Sequence, residues 1–580
     1  MRHTNRSAVT VAFSVFLTVC LLQCRALAWE ITKPLAEGVS FTQIVTEAPA
    51  KVINIVTVDP KFPGAIIKAT SAGETMHSAG AFRGKATVST AARRIGAVAA
   101  VNADFFIWQS GYPLGLLVSD GELKCEPYAR RTAFAISKNG EYLFGRPYLE
   151  ASVTVEGGAS RPLGGVNRLR GKNEIVAYTR AFAVSTHTNA EGTEVVVCTS
   201  HPPRPGEPIS GTVKEVRASK GNTPLGEDTL VLSSAGAGAK WLEENLKPGT
   251  SLTILFNLKS DDGKDWNSIA EAVGGGPRLI KDGTIVNSAK EEGFGTSIYT
   301  AAHPRTAIGT TSDGKVLMVT VDGRQPQSKG MTLQELAKLM LGKGCVQAMN
   351  LDGGGSTTLA TAYGVLNSPS DGRERPVANA VAVLGTPLKG DAGTEIKIDI
   401  PTHPVEAGSI CRLLLVDPAT GQPVSESCAK DTIWSVEGGG IFVDQSGSFT
   451  ARTARAYTIT ARYKDRITTR QIEVTAGPPA NMAPLLEEVS GEEPCASRVT
   501  VTVWDAFKNP VKDAKVFIKV SGGTLEQGEA VTGSNGRAGA AITWDSEFIG
   551  VFEVEVSCGN LKKTLVRPAK KSAGTEQNPL

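Results

Sequence analysis

Val346-Gln347-Ala348-Met349-Asn350-Leu351-Asp352-Gly353-Gly354-Gly355-Ser356-Thr357-Thr358 is the stretch that decides how the rest of the chain is read. An apolar, strand-like run stops at Asn350-Leu351-Asp352, and three glycines and three hydroxyl residues follow. Consecutive glycines weaken any packed element, so this position requires bare backbone. Bare backbone beside a carboxylate points to a polar ligand held by N–H groups. Asp352 is therefore a candidate for chemistry, and Gly353, Gly354 and Gly355 are candidates for an anion-binding nest.

Upstream, Thr332 to Leu341 reads as a helix. Thr332 and Glu335 form a capping box, Leu333, Leu336, Ala337 and Met340 share one face, and Gly342 and Gly344 end it. A second helix is expected near Thr87–Ile95. It leads into an apolar strand, Ala97–Val101, and then Asn102-Ala103-Asp104. Both units run helix, strand, Asn-x-Asp. A second echo pairs Leu116–Leu123 and Arg131-Thr132-Ala133 with Leu279–Ile285 and Arg305-Thr306-Ala307. Recurring Asp-Gly and Asn-Gly turns are ordinary hairpin chemistry. They do not explain why Arg-Thr-Ala opens both copies, so an internal duplication is an open reading. Short strands such as Ile53–Val58, combined with two helices, give residues 29–387 an expected α+β class with a mixed sheet.

The totals bound the rest. A chain of 580 residues exceeds one core, so several domains are expected. From about Leu388 the text becomes short strands and turns. Residues 388–476 and 479–568 each read as an immunoglobulin-like sandwich, joined at Gly477-Pro478-Pro479, with a disordered tail over 569–580. Lys and Arg number 61 against 58 Asp and Glu; Arg2, Arg6 and Arg25 fall within residues 1–28, so the remainder is balanced. That argues against a nucleic-acid partner. Residues 1–28 read as a secretory signal, with a positive start, an apolar run and Ala26-Leu27-Ala28 as the cleavage site. No later stretch is apolar enough to span a membrane, so a secreted, periplasmic or cell-surface bacterial protein is expected. In that compartment Cys411 with Cys428, and Cys495 with Cys558, are disulfide candidates.

Further candidate residues lie at strand ends. Val316–Val321 ends in Asp322-Gly323-Arg324, so Asp104, Asp322 and Asp352 are three carboxylates where active sites commonly form. Arg305 and Arg324 are the expected anion ligands, because a guanidinium offers planar bidentate hydrogen bonds. His303 is the histidine to test as acid or base. Asp capping a turn, and Arg in a surface ion pair, are the commoner roles of these residue types. Tyr178-Thr179-Arg180-Ala181-Phe182 and Gly192-Thr193-Glu194 mix rings, hydroxyls and a carboxylate in a way that suits a sugar. The phosphate loop of nucleotide hydrolases, the Gly-x-Ser-x-Gly elbow and His-Glu-x-x-His are all absent.

Asn350–Ser356, His303-Pro304-Arg305-Thr306-Ala307-Ile308-Gly309 and Asp322-Gly323-Arg324 together resemble the phosphodiester glycosidase family, the catalytic domain of the lysosomal uncovering enzyme. Asn102–Phe106, Tyr178-Thr179, Gly192-Thr193-Glu194 and Gly274-Gly275-Gly276-Pro277 add to the resemblance, which covers roughly residues 80–386. The second sandwich resembles invasin-type modules. The resemblance implies hydrolysis of a sugar-1-phosphodiester to sugar and phosphomonoester, with a glycosyl phosphodiester, including polymeric envelope glycans, as partner. Asp352 and Asp322 are then the expected nucleophile or base, with Asp104 and Glu194 in reserve. Arg305, Thr306, Arg324, Asn350, Gly353, Gly354, Gly355, Ser356, Asn102 and His303 are expected to bind substrate. No cofactor is required. A divalent metal stays open, as do a metal-assisted phosphodiesterase and a non-catalytic glycan-binding protein.

Overall fold

The computed structural model describes residues 28–78, 84–128, 130–400, 404–489, 496–545 and 551–568. The signal-sequence reading, the tail and Cys495 lie outside these segments.

Three five-stranded antiparallel units organise the large domain. Each has a hairpin on one side of a central strand and a strand pair on the other. In the first, central strand Ala99–Asn102 lies between hairpin Leu359–Thr361/Gly364–Val365 and the pair Asn379–Leu384/Ile66–Ser71. In the second, Ile269–Gly274 lies between Leu117–Ser119/Glu122–Cys125 and Ala133–Ser137/Tyr142–Gly145. In the third, Cys345–Asn350 lies between Arg278–Lys281/Thr284–Ile285 and Arg305–Thr311/Val316–Val321. The registers agree residue by residue. The last central residues, Asn102, Gly274 and Asn350, face Ala380, Ala133 and Ala307. The residues before them, Val101, Val273 and Met349, face Leu359, Leu117 and Arg278. The echo read as a duplication is thus threefold. Its first unit is assembled from both ends of the domain, which hides it from a linear comparison.

Helices Val88–Ile95 and Leu333–Gly342 precede the first and third central strands. Thr87 caps the former, and Thr332 with Glu335 caps the latter reciprocally. In the second unit the corresponding place holds an eight-stranded insertion running from Pro147 to Ser260. The α+β class is cut back, since strands make up 48% and helices 8%, and the three units pair antiparallel throughout; the mixed sheet lies in the insertion, where Gly165–Val166 runs parallel to Ile175–Tyr178. The helix signals were sound, but two capped helices do not outweigh so many strands.

Strands Ala28–Ala36, Val39–Glu47 and Ala50–Val58 extend the third unit by pairing onto Val316–Val321. The first unit is extended at Val365, which pairs with Val436 of the next module. That module has its own apolar core, from Ile396 to Val474. Beyond it, two four-stranded sheets pack over one core containing Val499, Val516, Trp544 and Val556. The disulfide expectation fails for Cys411 and Cys428, which are buried free thiols, one on strand Ile410–Arg412 and one in helix Glu426–Asp431; Cys558 is also free. Both module thiols serve as apolar filling of that core. No helix among the described residues is long and apolar enough to cross a membrane.

Candidate active site

The ends of the three central strands meet. The Asp352 amide donates to the Ala103 carbonyl at 2.8 Å, and Asn102 Nδ2 donates to the Asp352 carbonyl at 2.6 Å. The Gly276 amide donates to the Asn350 carbonyl at 2.8 Å, and Asn350 Nδ2 returns a bond to the Gly276 carbonyl at 2.9 Å. A Cβ on Gly115 or Gly274 would overlap Asp104 Oδ2, so the second unit must end in glycine for the first unit's carboxylate to fit. The first and third units thus supply Asn-x-Asp, and the second supplies Gly274-Gly275-Gly276.

Asn102 is the central brace. Its Oδ1 accepts from Thr306 Oγ1 at 2.8 Å and from the Thr358 amide at 3.0 Å. Several buried polar atoms at this junction have no partner: Asp104 Oδ2, Asn350 Oδ1, Asn379 Nδ2 and Thr358 Oγ1. Such atoms are rare in folded proteins and concentrate at functional sites.

Asp352 is partly exposed. Burial of its carboxyl raises its pKa to about 6, opposed by the Ser356 hydroxyl, the Arg375 charge and the Gly353 amide. Asp104 is pushed to about 7, mainly by burial and further by the negative charge of Asp352, against bonds from Phe105 and Gly115 and the Arg131 charge. Its unpartnered oxygen faces a small pocket shared with Gly274, Gly275 and Arg131. Asp322 is also raised to about 7 by burial, yet both its oxygens are occupied, by Asn367 Nδ2 at 2.9 Å and the Ser368 amide at 3.0 Å. Glu194 is fully buried within the insertion. Burial pushes its carboxyl up, but hydrogen bonds from Thr223, Ser233, Thr188 and Thr186 outweigh that and hold it below the usual range. Asp322 and Glu194 therefore brace loops, and Asp352 and Asp104 retain capacity for chemistry.

The three glycines do not form an anion nest. The Gly353 amide is spent on the Asp352 carboxylate and the Gly354 amide on the Pro304 carbonyl, at 2.9 Å. Their bareness permits close approach instead. A Cβ on Gly353 would lie 2.7 Å from the Pro304 oxygen, and one on Gly355 would overlap the Arg375 guanidinium. Gly354 adopts φ 64°, with Arg324 against it. Arg305 spends its Nε and Nη2 on backbone carbonyls, which leaves Nη1 as its group for an anion. Its buried guanidinium donates to the carbonyls of Met331 at 2.8 Å and of Ile298 and Ala301 at 2.7 Å. Burial and the neighbouring Arg324 charge lower its pKa to about 10.

The cations at the turn are Arg324 and Arg375. Arg324 is exposed, at φ 60°, and its Nη2 lies 3.4 Å from His303 Nδ1. Burial, Arg305 and Arg324 lower the His303 pKa, so the ring is neutral at pH 7 and accepts from Arg324. Arg375 is held by Asp371 at 2.7 and 2.9 Å and points Nη1 toward Ser356 Oγ, 3.5 Å away. Its guanidinium also lies over the Trp108 ring, 5.2 Å from the centroid, and Trp108 is 59% exposed. Sequence reading missed Arg375, Asn379 and Trp108, because none belongs to a local motif. Tyr178 and Phe182, expected as a sugar lip, are buried in a core with Tyr112. Among the described residues no cluster of three or more His, Cys, Asp or Glu side chains is placed to hold a metal ion.

Residues 208–384 match the family model described as phosphodiester glycosidase. The N-acetylglucosamine-1-phosphodiester alpha-N-acetylglucosaminidase of Bos taurus is 32% identical over 114 residues, 18% of this chain and 21% of that protein. A prophage-derived protein of Bacillus subtilis, YomE, is 44% identical over 81 residues, 14% of this chain and 13% of that protein. The chain thus spans about a fifth or less of the length of these curated relatives. Among solved structures, one from Burkholderia pseudomallei aligns over 62% of this chain and 97% of its own, at 21% identity and TM-score 0.52, which is a likeness of fold.

Proposed function

We propose that this chain, whose residues 208–384 form part of a domain of the phosphodiester glycosidase family, is an exported hydrolase acting on sugar-1-phosphodiesters. Water supplies the oxygen that ends on the sugar C1, and the C1–O bond to phosphorus breaks, releasing a phosphomonoester. The observation that carries this reading is Asp352, a partly exposed residue with a carboxyl raised to a pKa of about 6, on a glycine turn with Arg324 and Arg375 packed against it. A glycosidic bond breaks through an oxocarbenium-like state, which a carboxylate stabilises or captures. The phosphate that leaves is already acidic, so holding its charge matters more than protonating it. Arg324 and Arg375 are suited to that, as guanidiniums form strong charge-assisted bonds to phosphate.

In this reading Asp352 is the nucleophile or base and Asp104 the second carboxyl, protonated near neutral pH. Asn102 positions the Asp352 backbone, Thr306 and Asn350 position Asn102 and the strand ends, and Ser356 orients the Asp352 carboxylate. Trp108 offers a ring face to the sugar. Cell-envelope or other extracellular glycans are the proposed source of substrate, and the two C-terminal modules are proposed to be immunoglobulin-like.

The test uses methyl N-acetylglucosamine-1-phosphate in water enriched in heavy oxygen. Label in the released sugar supports a glycosidase. Label in the phosphate, with activity abolished by chelator and restored by a divalent ion, would instead establish attack at phosphorus. Tight binding of the ester without product on long incubation would leave only a glycan-binding role.

A further inference from the structure

Arg324, which lies against Gly354 of the glycine turn, also lines a cleft of about 550 Å³. One wall is the large domain, residues 325–327 and 368–372. The other belongs to the module that follows, where Ile410, Phe442 and Thr453 line it. The walls are held at a fixed spacing. Val365 pairs with Val436 across the junction, the Gln445 amide donates to Gln43 Oε1 at 2.9 Å, and Arg462 donates to the Leu35 carbonyl at 3.0 Å. At the cleft itself, Arg455 of the module donates to the Gly372 carbonyl at 3.3 Å, and the Glu374 amide donates to the Gly438 carbonyl at 2.9 Å. A tethered spacer would need none of these bonds.

Resting on the function proposed above, we infer that this cleft is the binding site for the alcohol part of the phosphodiester, and that the alcohol is a hydroxyl-rich chain such as a saccharide or alditol. Arg324 stands both at the catalytic turn and at the mouth of the cleft, so a phosphate held there directs its second ester oxygen inward. The lining mixes polar side chains with Pro369, Ile410 and Phe442, as suits the polar and apolar faces of a sugar chain, and its charges oppose one another, Arg324 and Arg452 against Glu47 and Asp444, which disfavours a polyanion. Ser370 presents a buried hydroxyl with no partner in the cleft wall, a group that an incoming hydroxyl would satisfy. The module is thus part of the substrate site, and its contribution is specificity for long alcohols.

The test compares two N-acetylglucosamine-1-phosphate esters, methyl and disaccharide, on the full chain and on Ile410→Trp and Thr453→Trp. Both positions are exposed, Ile410 by 81%, so neither change disturbs a core. The expected result is that wild type has kcat/KM at least about tenfold higher on the disaccharide ester, a preference of the size that extra contacts in a polar subsite provide. Each variant should lose most of this preference, with methyl-ester turnover unaltered. Equal rates on both esters in wild type, or an intact preference in both folded variants, overturns the cleft assignment while methyl-ester turnover keeps the glycosidase reading standing. Turnover of neither ester overturns the glycosidase reading and the cleft assignment with it.

Discussion

At the scale of single residues, the four candidate carboxylates separate by whether an oxygen or an approach from solvent is left open. Asp322 and Glu194 are saturated, whereas Asp104 keeps an unpartnered oxygen and Asp352 is partly open. Asp352→Asn is expected to lower kcat by about 10²–10⁴, the range for losing a reacting acid–base group, with the thermal midpoint unchanged within a few degrees. Steady-state kinetics beside a melting curve checks both halves. The pH profile follows from the two raised pKa values. Asp352 must be ionised, so activity rises as pH increases through about 6, and Asp104 must keep its proton, so activity falls as pH increases through about 7. In Asp104→Asn the falling limb should disappear while the rising limb stays. Arg375→Ala removes a charge-assisted phosphate contact worth about 1.5–3 kcal/mol, so KM should rise by about ten- to a hundredfold. Sequence reading found Asp352 because it sits in a conspicuous motif. It could not see that both Asp322 oxygens are bonded, or that Arg305 spends Nε and Nη2 on carbonyls, because nothing local tells an engaged polar group from a free one.

At the scale of elements, the Gly353–Gly355 turn shows how a motif can be recognised for the wrong physical reason. The requirement for bare backbone is real, but it serves close approach of Pro304, Arg324 and Arg375 rather than N–H binding of an anion. The positions therefore differ in what a methyl group should do. Gly355→Ala meets the far end of a flexible Arg375 side chain, so stability should hold while KM rises. Gly353→Ala meets the Pro304 backbone, which cannot swing aside, and should cost about 1–3 kcal/mol as overpacking does. Denaturant unfolding of the two variants, with their kinetics, distinguishes them. Both helices were legible because N-cap hydroxyls and apolar spacing are local signals. The threefold repeat was seen only as two, because its first unit takes strands from residues 66–102 and 359–384.

At the scale of the whole molecule, the strands before the catalytic units and the module after them are joined across a buried interface. Lys33 is 2% exposed and donates to the Thr432 carbonyl. Burial lowers its pKa to about 8, partly offset by Asp431 and Asp444. Because the folded pKa lies below the unfolded value, this lysine's contribution to stability is full only above pH about 10.5 and is lost as pH falls through about 8. Lys33→Ala leaves a cavity and an unpaired carbonyl, at a cost of about 2–4 kcal/mol. Calorimetry should then resolve the module as a separate, earlier transition.

What the sequence determined by itself was whatever is written in neighbouring residues: the capped helices, the strands ending in Asn-x-Asp and the glycine turn. Those features follow from local propensity and side-chain period, which need no distant partner. Only the tertiary structure decided which carboxylate keeps an unpartnered oxygen, that Arg375 and Asn379 lie at the candidate site, and that the module after the large domain forms one wall of the cleft. Each of these depends on which groups meet across tens to hundreds of residues. Hydrogen-bond saturation and burial are properties of that meeting, not of the residue type.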